Sequence, residues 1–136
     1  MSRYLRLPAV PTRLGYDPRL QLISEYDVVN ALTHTLENPI AGAFNIAAPG
    51  QLYLSRVLRL GHRISQPLPR RAYDIAVKGM SRADLHLPGH VKRLVHYGLI
   101  ADTRRMTEVL GFAPAYNLRQ TVLAGYGVLP PRAARS

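Results

Sequence analysis

His86 and His90 stand four residues apart, the spacing that sets two imidazoles on one helical face for a shared metal ion. Pro88 and Gly89 lie between them and work against the helix that would align the rings. A third ligand would have to come from Asp84 or His96. These histidines read as ordinary loop residues and no metal site is expected. Ser55 stands in Leu-Ser-Arg without the G-x-S-x-G elbow of a serine nucleophile, and helix capping accounts for it. Acid/base chemistry needs two groups with separated pKa values in one cleft, and the available carboxylates are Glu25, Asp27, Asp102 and Glu108. The first three cap or open a predicted helix and Glu108 lies inside one, so all four read as structural. Neither G-x-G-x-x-G nor G-x-x-x-x-G-K-[ST] occurs, and Gly125 and Gly127 sit where the last predicted helix ends.

The elements that would position these groups follow from periodicity and punctuation. Pro8, Pro11, Gly15 and Pro18 predict an irregular segment over residues 1–18. Leu20 to Ile23 makes a short strand-like run. Ser24 with Asp27 then forms an S-x-x-D capping signal, and Val28, Ala31, Leu32 and Leu36 recur at helical spacing until Pro39. Ala43 to Ile46 has the length and apolarity of a strand. Ser55 is placed to cap a helix that Gly61 stops, and further helices are predicted over 73–80 and 91–97. Asp102 is placed to cap a helix over 103–110 with Gly111 beyond it, and Asn117 with Gln120 to open a last one through Gly125. A lobe over residues 19–128 and a fraying tail over 129–136 complete the division.

The chain has 136 residues, a net charge of +10 and no cysteine. This length fits one domain, and the missing thiols exclude a disulfide framework, a thiolate zinc site and a cysteine nucleophile. No apolar run approaches the roughly 18 residues of a membrane span, and the first residues lack a secretory pattern, so a soluble cytoplasmic protein with no membrane partner is expected. Sixteen arginines and two lysines are spread along the chain without a block of five like charges. Nucleic-acid surfaces gather their cations into a stripe, so the pattern disfavours nucleic acid as a partner.

Three segments, in order, resemble the C-terminal portion of extended short-chain dehydrogenase/reductases, the nucleotide-sugar epimerases and dehydratases. LQLISEYDVVNAL puts Asp27 at that family's helix-opening aspartate. Gly42 to Ala47 with Gly50 and Ser55 resembles the family's G-x-y-N-[ILV]-[AG] stretch and places Asn45 and Gly50 on it. ADTRRMTEVLGFAPAYNLRQTV resembles the closing segment, with Asp102, Gly111 and Pro114 at its landmarks. The resemblance implies an α/β, Rossmann-type fold of which this chain supplies the mostly helical, substrate-binding part with a few short strands. It further implies a nucleotide-sugar-like substrate, with Arg19, Lys92 and Arg93 near family positions that contact phosphate, and Asp27, Asn45, Gly50 and Asp102 as scaffold.

The departures are equally specific. The dinucleotide-binding loop is missing, and so is the catalytic Tyr-x-x-x-Lys. Tyr73 and Lys78 are five apart, which separates them by about 140° on a helix where four residues would give about 40°. NAD or NADP is implied for the family but is not expected to bind this chain alone. The expectation is a truncated or split enzyme, inactive alone, that needs an N-terminal Rossmann half or self-association. A non-catalytic interaction module and a basic nucleic-acid-binding protein are the alternatives.

Overall fold

A computed structural model describes residues 3–82, 93 and 96–128 of the chain. It is an α/β structure, rich in helix with short strands, and it divides into two compact units: Met1–Leu20 with Leu52–Leu99, and Gln21–Gln51 with Ile100–Ser136. Among the described residues no helix is long and apolar enough to cross a membrane.

In the first unit a 3-10 turn over Arg3–Arg6 leads into strand β1, Ala9–Arg13, which pairs in parallel with β4, Ile64–Leu68, from Ala9 opposite Ile64 to Arg13 opposite Leu68. The prolines had predicted an irregular segment here. Among the described residues neither strand has a second neighbour, so Pro11 and Pro67 interrupt a ladder only on one side, which edge strands tolerate. Alternation buries Val10 and Thr12, and Thr12 Oγ1 hydrogen-bonds Ser65 Oγ at 2.9 Å. Strand β2, Arg19–Leu20, pairs antiparallel with β3, Leu52–Tyr53. Helix α1, Glu25–Glu37, lies in the second unit, and α2, Leu54–Leu60, buries Leu54, Val57 and Leu58 at helical spacing before Gly61. Helix α3, Arg70–Arg82, starts directly after Pro69, earlier than the predicted 73–80. The expected helix over 91–97 lies mostly outside the described residues, as do His86, His90, Asp84 and Lys92.

Ser55 does not cap α2. The N-cap position is Tyr53, which offers no side-chain acceptor, and Ser55 is already helical. Its backbone N–H donates to Asp17 Oδ1 at 3.0 Å and its hydroxyl to Asp17 Oδ2, so a carboxylate 38 residues away satisfies the helix end.

The second unit contains α1, Glu25–Glu37, capped by Ser24 as the sequence predicts: Ser24 Oγ accepts from the Asp27 N–H at 3.0 Å and donates to Asp27 Oδ2 at 2.7 Å. The expected apolar face is not the buried one. Asp27 and Ala31 point inward, while Val28, Leu32 and Leu36 are exposed. At about 100° per residue, Leu36 lies about 140° from Ala31, so burying Asp27 turns most of the stripe to solvent. Ala43 to Ile46 forms no strand ladder either. Phe44 and Ile46 still alternate inward with Asn45 outward, but no described strand lies alongside to pair with them. They pack on Ala31, Met106, Leu110 and Phe112.

Helix α4, Arg104–Glu108, is shorter than predicted, and the chain leaves it through Gly111 at φ 68°, where the Phe112 N–H returns to the Met106 carbonyl at 3.0 Å. Helix α5, Leu118–Gly125, opens on the predicted capping box. Asn117 Oδ1 accepts from the Gln120 N–H at 2.9 Å, and Gln120 Oε1 from the Asn117 N–H at 3.0 Å.

Candidate functional site

The sequence-predicted phosphate contacts and scaffold positions fall in different units. Arg19 and Arg93 belong to the first, Asp27, Asn45, Gly50 and Asp102 to the second, and Lys92 lies outside the described residues.

The backbone around Arg19 is held from several directions. Asp17 satisfies the start of α2, the Pro18 carbonyl accepts from the Leu54 N–H at 2.9 Å, Arg19 stands opposite Tyr53, and the Arg19 carbonyl accepts from the Leu99 N–H at 3.2 Å. Gly98 makes the last contact possible: a Cβ there would meet the Arg19 carbonyl oxygen at 2.7 Å. The Arg19 side chain is exposed above this fixed backbone, and Arg93 is exposed as well.

Beside Pro18 opens a small cleft lined by Thr12, Arg13, Tyr16, Pro18, Leu54, Tyr73 and His96. Its cavity volume is only about 10 Å³, far below the ~300 Å³ or more of typical small-molecule pockets. Its guanidinium, imidazole and two phenols are groups that donate hydrogen bonds to anionic oxygen. Among the described residues no carboxylate lines it. Sequence reasoning missed this group because the lining residues come from four segments whose types and spacing carry no local signal.

In the second unit the scaffold positions are tied together. Asp27 is fully buried. Its Oδ1 accepts from the Ala115 N–H at 2.7 Å and its Oδ2 from the Tyr116 N–H at 3.2 Å, so one carboxylate holds the start of α1 against a segment 88 residues away. Asn45 donates through Nδ2 to the Asp102 carbonyl at 3.1 Å. Gln21 donates to the Ala48 carbonyl at 3.1 Å and accepts from the Ala101 N–H at 2.9 Å. His34 Nε2 donates to the Leu110 carbonyl at 2.8 Å, and the Arg105 guanidinium lies 5.2 Å from the centre of the Phe44 ring. Gly50 takes φ 90°, a backbone state that glycine adopts without strain.

Asp102 sits one residue before the structural N-cap, Thr103, yet it still serves the helix end by accepting from the Arg104 N–H at 3.0 Å. The Arg104 guanidinium hydrogen-bonds both its oxygens, the closest at 2.7 Å, and this contact with the backbone bond lowers the carboxyl from 3.8 to about 2. The same contact raises Arg104. Because the folded value is depressed, whatever stability the pair contributes is present above pH 3.8 and is lost as pH falls toward 2. Both groups are exposed, so the contribution is small and salt-sensitive. A carboxyl NMR titration will show Asp102 near 2 in the native chain and back toward 3.8 in Arg104→Gln; an unchanged midpoint in the variant would assign the shift elsewhere.

Among the described residues no glycine-rich turn leads from a strand into a helix. A pyrophosphate cradle needs a glycine-rich turn from a strand into a helix N-terminus with free amides. Here β1 runs through Gly15 into another strand, and β4 meets α3 through Pro69, which has no N–H. Among the described residues no three His, Asp or Glu side chains converge on a metal position.

No family model matches the chain. No solved structure matches it. Three curated sequences are similar, each described as an uncharacterized protein, one from Mycobacterium bovis and two from strains of Mycobacterium tuberculosis. Each is 38% identical over 119 residues, which is 85% of this chain and 31% of the relative. The chain therefore spans about a third of the length of the curated relatives it matches.

Proposed function

We propose that this chain contributes the nucleotide-sugar-binding lobe of an NAD(P)-dependent epimerase/dehydratase-like protein and performs no chemistry alone. The observation that carries this reading is the way the three resemblance-bearing segments engage one another. Asp27 of the first segment holds Ala115 and Tyr116 of the third, and Asn45 of the second holds the Asp102 carbonyl of the third. Segments chosen for their likeness to one family thus support one another physically, as parts of a common scaffold would. The exposed Arg19 on its fixed backbone supplies a cation for a diphosphate, and Arg93 of the same unit a second.

The test is a titration of the chain with a uridine-diphosphate sugar, with NAD and with a labelled DNA duplex, at roughly 50 and 200 mM salt. The sugar nucleotide will bind, Arg19→Ala and Arg93→Ala will each weaken it about tenfold, and NAD will give no response. Tight duplex binding that collapses with salt, beside no response to the sugar nucleotide, would replace this reading with the nucleic-acid one.

A further inference from the structure

Helix α1 carries apolar side chains on the side opposite its buried one. Asp27 and Ala31 face inward, whereas Val28, Val29, Leu32 and Leu36 face solvent, Leu32 at 61% and Leu36 at 83% exposure. A helix apolar on both sides is normally covered on both. The charge distribution singles out the same region: from Leu20 to Ser55 the chain has the carboxylates Glu25, Asp27 and Glu37 and no lysine or arginine, although it holds 18 such cations in all. An apolar face kept clear of cations in so basic a chain suits burial against another polypeptide better than exposure to water or to an anionic surface.

A second copy is a poor occupant. Two α1 stripes packed antiparallel about their midpoints would set Glu25 of one near Glu37 of the other at both ends, like charge against like. The relatives, on the other hand, carry about two thirds of their length beyond the part this chain matches. We propose that the Val28–Val29–Leu32–Leu36 face is the docking surface for a polypeptide corresponding to that unmatched portion of the relatives.

The absence of cysteine from the chain makes a clean test available. Leu32→Cys and, as a control on exposed Arg119 of α5, Arg119→Cys are prepared in the chain alone and in a chimera in which the chain replaces the matched third of the M. tuberculosis relative. Thiol labelling is followed at each site by peptide mass spectrometry. In the chain alone both sites will label fast. In the chimera Leu32→Cys will slow on the order of a hundredfold, as burial of the site requires, and Arg119→Cys will not.

Equal labelling of Leu32→Cys in a cooperatively melting chimera would overturn the proposal. So would concentration-dependent protection in the chain alone with a dimer in sedimentation, which would give the face to a second copy. Should the chimera fail to fold, the tagged chain is co-expressed with the unmatched portion. Co-purification that is abolished by L32E/L36E supports the proposal, and no co-purification, or co-purification indifferent to those changes, overturns it. Protection at Leu32 in a chimera that ignores the sugar nucleotide would leave the docking surface standing and remove the function.

Discussion

Asp27→Ala lowers the stability of the chain by about 3–5 kcal/mol, the largest loss expected from any single polar substitution here. The carboxylate is fully buried and accepts from the Ala115 and Tyr116 amides and from the Ser24 hydroxyl. Alanine leaves two inward-facing amides without an acceptor, at about 1–3 kcal/mol each, and loosens the cap of α1. Ser24→Ala removes only the cap and costs about 1 kcal/mol. Asp27→Asn falls between these, because its amide retains one acceptor oxygen but presents N–H groups where the backbone also donates. Urea unfolding of the three variants will rank them in that order. An Asp27→Ala midpoint no lower than that of Ser24→Ala would show that Ala115 and Tyr116 find other acceptors.

Gly98→Ala comes second, at about 2–4 kcal/mol. Gly98 has φ 72°, which alone disfavours alanine by roughly 1 kcal/mol, and its new Cβ would lie 2.7 Å from the Arg19 carbonyl oxygen and 3.3 Å from the Arg19 nitrogen. Those are backbone atoms of β2, so no side chain can swing away. The bond from the Leu99 N–H to Arg19 must break or the strand must shift. Gly111→Ala provides the comparison, with φ 68° and no atom within 4 Å of the added carbon; it should lose only the conformational part. The difference between the two losses measures the Arg19 contact. Sugar-nucleotide affinity should fall with it in Gly98→Ala and hold in Gly111→Ala, because only the former moves the backbone that carries Arg19. Equal losses in the two variants would mean that β2 yields freely at that point.

The local devices of the fold were legible in the residues. Ser24 with Asp27 announced α1, Asn117 with Gln120 announced α5, and Gly111 announced the turn out of α4, since each pattern is completed within a few residues by hydrogen bonds the chain makes to itself. Elements that depend on a distant partner were misread. Pro11 suggested a loop where β4 supplies a parallel neighbour, and Ser55 suggested a cap where Asp17 provides it.

The sequence by itself determined where α1 and α5 start and where the chain turns out of α4, because these capping groups and the left-handed Gly111 act within one turn of the residue they serve. Tertiary structure decided which way the helices face. A period of 3.6 residues puts Val28, Leu32 and Leu36 on a common side of α1, but the need of the Ala115 and Tyr116 amides for an acceptor sends Asp27 inward and that side outward. The cleft beside Pro18 has the same origin: Arg13, Tyr16, Tyr73 and His96 come together only when β1, α3 and the segment before Leu99 are folded, and nothing in their spacing along the chain encodes that meeting.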